Sequence, residues 1–171
     1  LSRLDGALGA VAWISEYRED RMSAAAGIVI VGAGHGGVQA AASLREEGYA
    51  GPITLVSDDA HAPYQRPPLS KAFIKGEATA ESLILRGPAY YPEKQIDLRL
   101  GERVSEIDRA ARIARLASGG SLAYEHLILA TGALPRPATF AGAELEGVLA
   151  LRDMDDAARL KAKLEVAKHV V

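Results

Sequence analysis

Six residues, Gly32-Ala33-Gly34-His35-Gly36-Gly37, constrain the fold of this chain more than any others, because of what stands on either side of them. Before them runs Gly27-Ile28-Val29-Ile30-Val31, short, continuous and β-branched, the composition of a strand buried on both faces of a parallel sheet. After them Val38 to Glu47 is rich in Ala, Leu, Gln, Arg and Glu. Val38, Ala41, Ala42 and Leu44 fall near helical spacing, and Gly48 is placed to end the helix. Pro52 then introduces Ile53-Thr54-Leu55-Val56, a second strand of the buried kind, which ends at Asp58-Asp59. Strand, helix and strand within about 30 residues make a βαβ unit, and the alternation requires a parallel sheet.

The glycines supply G-x-G-x-x-G, and each has a mechanical reason. Gly32 permits the tight turn out of the strand, Gly34 lets backbone approach a pyrophosphate without a Cβ, and Gly37 lets the helix pack closely on the strand. Phosphates would sit on the helix N-terminus, where free N–H groups and the helix dipole favour negative charge. Asp58 falls 21 positions after Gly37, close to the distance of roughly 20 at which a carboxylate binds an adenosine ribose. A Rossmann-like dinucleotide site is therefore expected at Gly32, Gly34, His35, Gly36, Gly37 and Asp58, with His35 serving through backbone. FAD and NAD present the same ADP moiety to such a unit, so the fingerprint leaves the choice between them open. An acid at Asp58 does disfavour a 2′-phosphate.

From Ala60 to Pro92 five prolines and several charges predict loops with one or two short helices. Between Ile96 and Ala130 short extended pieces follow: 97–100, 104–108, 112–116, 121–124 and 127–130. The turn at Ser118-Gly119-Gly120 joins two of them as a hairpin. The expectation is a small antiparallel meander inserted before a final core strand, 127–130, that returns to the parallel sheet. Asp153 begins an amphipathic helix with Asp156 in capping-box position, and Val170-Val171 reads as the start of another strand. The expected divisions are an extension over 1–21, with Met22 as a natural start, a cofactor-binding domain over 22–152, and a connecting helix with the start of a truncated NAD-binding domain over 153–171.

Composition removes several functions. With no cysteine there is no disulfide, thiolate metal site or redox-active pair, so redox chemistry within these residues needs a bound cofactor. A net charge of −2, with acids and bases interspersed, offers no stripe for nucleic acid. No apolar run is long enough to cross a bilayer, and the acids around Ala7–Ile14 argue against a signal peptide, so a cytoplasmic protein without membrane contact is expected. His61, His126 and His169 are isolated, with no ligand spacing among them, and no metal site is expected.

Pro63-Tyr64-Gln65-Arg66-Pro67-Pro68-Leu69-Ser70-Lys71, together with Val104, the Ala130-Thr131-Gly132 turn and Leu134-Pro135-Arg136, resembles the FAD-dependent NADH:ferredoxin reductases. These are the reductases of dioxygenase and cytochrome P450 electron-transfer chains, together with the apoptosis-inducing-factor group. The resemblance runs from about Ala26 to the C-terminus. It implies an α/β, Rossmann-like FAD-binding domain with a parallel sheet and a small inserted antiparallel β-meander. It further implies that Arg66 and Lys71 lie along the flavin side of FAD, with Lys71 near the reactive ring as the catalytic cation. Val104 would line the adenine, and Ala130, Thr131, Gly132 and Arg136 would contact the cofactor.

Without the motif each of these residues has a plainer reading. Arg66 and Lys71 would be solvated loop cations, Thr131-Gly132 a strand-end turn, and Val104 a core residue. The related flavoproteins pass electrons from NADH through FAD to a [2Fe–2S] ferredoxin. Those of the glutathione-reductase type carry a redox cysteine where this chain has Pro67-Pro68-Leu69-Ser70-Lys71. Family members also continue into a second glycine motif for NADH, and none is present here, so the chain is expected to supply the FAD-binding part alone. A NAD-binding dehydrogenase domain and a non-catalytic FAD-binding fragment are the alternatives.

Overall fold

The computed structural model describes residues 26–171; the expected extension over 1–21, and Met22, lie outside the described residues. The elements are β1 (Gly27–Val31), α1 (His35–Glu46), β2 (Ile53–Val56), 3₁₀ turns at Pro67–Ser70 and Glu81–Leu83, α2 (Tyr90–Glu93), β3 (Ile96–Arg99), β4 (Val104–Asp108), β5 (Ile113–Leu116), β6 (Ser121–Leu129) and α3 (Met154–Val166). The six strands form one sheet in the order β3-β2-β1-β6-β5-β4. β1 pairs in parallel with both β2 and β6, and β3 pairs in parallel with β2. The β4–β5 and β5–β6 pairs are antiparallel.

Three expectations change. The expected meander includes residues 97–100, but β3 joins the parallel sheet, with Ile96 beside Ile53 and Leu98 beside Leu55. Its alternating apolar residues share the face that α1 covers, which no local pattern announces. The pieces 121–124 and 127–130 are one strand, β6, whose first half pairs with β5 and whose second half pairs with β1. The polar pair Glu125-His126, between the two expected pieces, marks the register shift where the strand passes from meander to core. Val170-Val171 forms no strand. Two apolar residues become a strand only with a partner to complete their hydrogen bonds.

The period-2 alternation of the strands sends side chains to two cores. Ile28, Ile30, Ile53, Leu55 and Ile96 pack with Val38 and Ala41 of α1 and Tyr91 of α2. On the opposite face Val29 and Val56 meet Ala114, Leu116, Leu122 and Tyr124 of the curled meander. A third cluster joins the proline-rich segment, through Tyr64, Leu69 and Leu83, to Met154 and Ala157 of α3. The capping box at Asp153 and Asp156 is formed as expected, each side chain accepting from the other residue's backbone N–H.

Arg45, in the last turn of α1, ties these loops together. Its guanidinium donates to the carbonyls of Tyr49, Gly51 (2.8 Å), Lys94 (2.8 Å) and Gln95 (2.7 Å), so one side chain satisfies the entry to β2 and the entry to β3. Arg45→Ala is expected to cost about 2–3 kcal/mol, because four carbonyls lose a charged donor at once. A urea melt checks this, and a cost within about 0.5 kcal/mol, typical of plain surface changes, would show that water replaces the guanidinium freely.

Tyr91 presents the opposite case. Its ring is core, 2% exposed, and its hydroxyl is buried with no hydrogen-bond partner among the described residues. Burial, aided by the neighbouring Tyr90, pushes its pKa up, so the phenol stays neutral. Deleting an orphan hydroxyl removes a desolvation cost, so Tyr91→Phe is expected to stabilise by about 1 kcal/mol, or roughly 3 °C in Tm. A lower Tm in calorimetry would mean that the hydroxyl has found a partner.

Candidate functional site

A cleft of about 250 Å³ opens at the C-terminal ends of β1, β2 and β6. Its lining brings together Gly32, Asp58, Val104, Thr131 and Gly132, contributed from four separate stretches of chain, with Arg103 and Leu134 at its sides. β1 stands where the strand order turns, with β2 and β3 following it on one side and the last strand, β6, returning to its other side, and open α/β sheets bind ligands at such a switch point. The cleft lies just under the volume range of whole small-molecule sites, about 300–1,000 Å³, and so has room for part of a dinucleotide rather than all of it.

The glycines divide by what holds them. Gly32 has φ +106°, and a Cβ on it would lie 2.3 Å from the Ala130 carbonyl oxygen, so the turn and the packing both exclude a side chain. Ala130 thus forms the floor behind the glycine turn. A Cβ on Gly37 would lie 1.8 Å from the Gly32 carbonyl oxygen, which fixes how closely α1 sits on the turn. Gly34 and Gly36 are different, because a Cβ at either meets nothing within 4 Å. Gly34 has φ −75°, open to any residue, so the fold itself has no use for a glycine there. Gly34 is the N-cap of α1 with no side-chain cap, and no acid stands in the first turn. The leading N–H groups of α1 therefore face outward beside two open glycines, a surface suited to an anion. His35 is exposed.

Asp58 stands at the cleft with its side chain 66% exposed and Arg103 Nη1 4.0 Å away, a distance at which two such exposed groups contribute little. Its neighbour Asp59 is engaged instead. Oδ2 accepts from the Tyr64 hydroxyl at 3.0 Å and from Arg66 at 3.4 Å, and Oδ1 accepts from the His61 amide at 3.0 Å. Arg66 also donates to the Arg152 carbonyl at 3.0 Å and lies over the Tyr64 ring. Burial and the charge of Asp59 hold the Tyr64 pKa well above its usual value, so the hydroxyl remains a proton donor.

Arg66 is thus held within the protein beside the cleft rather than solvated. Lys71 is exposed at the end of the Pro67–Ser70 turn, and Arg136 is exposed in the extended stretch after β6; neither lines the cleft. Sequence reading missed Arg152. Its Nη2 lies 3.2 Å from the position of a Gly132 Cβ, at the cleft's glycine turn, and its guanidinium forms no ion pair among the described residues. Only the folding of 133–151 back onto the site brings residue 152 to residue 132, and sequence spacing carries no such signal. Among the described residues no three His, Asp or Glu side chains cluster to hold a metal ion, and no helix is long and apolar enough to cross a membrane.

Sheet order, glycine turn and cleft define a Rossmann-like dinucleotide-binding unit. Comparison with known proteins gives the family: the model for "pyridine nucleotide-disulphide oxidoreductase" matches residues 26–171, and the chain belongs to that family. A rubredoxin-NAD(+) reductase from Pseudomonas putida is 45% identical over 144 residues, 84% of this chain and 37% of that protein. The solved ferredoxin reductase for the CYP199A2 system from Rhodopseudomonas palustris is 42% identical with a TM-score of 0.78, covering 82% of this chain and 35% of that one. The reductase of a covalent putidaredoxin reductase–putidaredoxin complex is 40% identical with a TM-score of 0.75, covering 83% and 35%. The chain therefore spans about a third of the length of its relatives.

Proposed function

We propose that this chain is the FAD-binding part of a flavoprotein oxidoreductase that passes electrons from NADH through FAD to a [2Fe–2S] ferredoxin. The carrying observation is the pair Gly34 and Gly36, glycines that the fold does not require, set at an uncapped helix N-terminus beside the cleft. The names of the relatives, reductases of rubredoxin and ferredoxin, support the direction of electron flow.

In this reading the backbone of Gly34 to Gly37 holds the pyrophosphate, Asp58 the adenosine ribose, and Val104 the adenine edge. Thr131, Gly132 and Arg152 close the cleft's other side. Arg66, Lys71 and Arg136 extend toward the flavin end, with Lys71 placing positive charge where negative charge develops on reduction. Bound FAD supplies two-electron acceptance from a nicotinamide and one-electron release to a carrier. The chain's own task is to orient the cofactor and exclude water. The NADH and ferredoxin sites belong to the longer protein of which relatives give the pattern, and a cytoplasmic setting suits a nicotinamide-driven chain.

Titration of the purified chain with FAD, followed by gel filtration and visible absorption, tests the proposal. Stoichiometric retained flavin supports it. A folded chain that retains NAD but no FAD overturns it in favour of a dehydrogenase domain.

A further inference from the structure

The reading of the cleft as an FAD site leaves Tyr64 without a role, although it is among the most constrained side chains in the molecule. It is 4% exposed, and its hydroxyl is used twice, donating to Asp59 Oδ2 at 3.0 Å and accepting from the Met154 amide at 2.9 Å. The Met154 amide is the first of α3, a group that no intrahelical acceptor can satisfy. Two residues earlier the backbone is held again, as Arg152 N–H donates to Asp156 Oδ2 at 2.9 Å and the Arg152 carbonyl accepts from Arg66 at 3.0 Å. Arg66 is itself held by Asp59 and by the Tyr64 ring, 5.2 Å from its guanidinium carbon. The Asp153 N–H also donates to Asp156 Oδ2, so the peptide 152–154 is clamped at four points, and two of them run through Tyr64 or the carboxylate it holds. The side chain delivered by that peptide is Arg152, at the Gly132 turn of the cleft.

We propose that Tyr64 is a positioning residue. Its hydroxyl, fixed between Asp59 and the Met154 amide, sets the backbone of 152–154 so that the Arg152 guanidinium meets an anionic cofactor at the Gly132 turn. This rests on the FAD reading and adds a specific mechanical link to it. Asp59 sits at the exit of β2 and Arg152 at the entry of α3, so the link also makes cofactor occupancy and the seating of α3 a coupled pair. Ring packing alone, against Leu69, Leu83, Met154 and Ala157, is the plainer account of a buried tyrosine.

Tyr64→Phe separates the two, because it keeps the ring and removes the hydroxyl. In the full chain, Tyr64→Phe is expected to weaken FAD binding about tenfold, the size of effect that a lost buried hydrogen bond produces. Arg152→Ala is expected to weaken it at least as much, and Tyr64→Phe added to Arg152→Ala is expected to cost less than about twofold more, since the two act through one contact. At saturation the visible circular dichroism of the bound flavin should change in the same sense in both single variants. Losses that multiply in the double variant, or parent-like FAD binding by Tyr64→Phe, overturn the proposal.

Amide hydrogen exchange at Met154 in the cofactor-free chain provides a readout that does not depend on FAD. Exchange about tenfold faster in Tyr64→Phe supports the clamp, and unchanged exchange overturns it. Should the parent chain bind no FAD, the reading of the cleft falls, while this exchange measurement still decides whether Tyr64 holds the peptide.

Discussion

Gly37→Ala is expected to leave no folded protein to assay, whereas Gly34→Ala is expected to fold and to lose its cofactor. At Gly37 the added Cβ lies 1.8 Å from the Gly32 carbonyl oxygen, a backbone atom at the exit of β1. Relief requires α1 to lift from the sheet, which uncovers the core that Val38 and Ala41 close over Ile28 and Ile30. A clash with no flexible partner, together with that loss of packing, is expected to cost about 5 kcal/mol or more, comparable to the whole stability of a small domain.

At Gly34 the backbone lies at φ −75°, ψ −172° and the Cβ meets nothing within 4 Å. Alanine is only a somewhat poorer N-cap than glycine, a change of less than about 1 kcal/mol. The same methyl occupies the space where backbone must approach a pyrophosphate, and FAD affinity is expected to fall about a hundredfold, or ~2.7 kcal/mol. Thermal melts by circular dichroism and FAD titration of the two variants provide the check. Parent-like affinity in Gly34→Ala would remove the phosphate from this turn.

That division also measures how far the sequence could be read. The G-x-G-x-x-G spacing located the turn, because strand, glycines and helix are contiguous and their mechanics are local. The start of α1 at His35 rather than Val38 was less visible, since Gly36 and Gly37 are poor helix formers that tertiary packing overrides. Val104, Thr131 and Gly132 reached the cleft list through resemblance, and the structure places all three on its lining. What stayed illegible is what depends on long-range closure. β3 joins the parallel sheet through a register with β2 across some 40 intervening residues. Arg45 finds carbonyls 49 and 50 positions away. Arg152 reaches Gly132 only after an irregular stretch folds back, and no hydrophobic period encodes such a return.

The neighbouring carboxylates Asp58 and Asp59 are expected to fail in opposite ways. Counting residues from the glycine turn selects Asp58, and a miscount of one would select Asp59, so their environments must decide. Asp58 is 66% exposed at the cleft, makes no hydrogen bond among the described residues, and lies 4.0 Å from Arg103. Nothing in the fold depends on its carboxylate, which leaves both oxygens free for a ribose diol. Asp58→Ala is expected to leave Tm within about 1 °C, consistent with an exposed carboxylate whose one ion pair, with Arg103, is itself exposed and long. FAD affinity should fall roughly 10- to 100-fold, as hydrogen bonds to a charged acceptor are lost.

Asp59 has only 16% of its side chain exposed and accepts from Tyr64, Arg66 and the His61 amide. Asp59→Ala strands the buried Tyr64 hydroxyl, the part-buried His61 amide and an arginine, and is expected to cost about 3 kcal/mol, a fall in Tm of roughly 6–12 °C. Its FAD affinity, measured well below the melt, should fall less than that of Asp58→Ala, because its effect on the cofactor is indirect, through Arg66 and the 152–154 peptide. If Asp58→Ala instead melts early and still binds FAD, the ribose carboxylate must be sought elsewhere on the cleft wall. Glu102, which also lines it and already accepts from Ser118 at 2.8 Å, would then be the remaining acid in position.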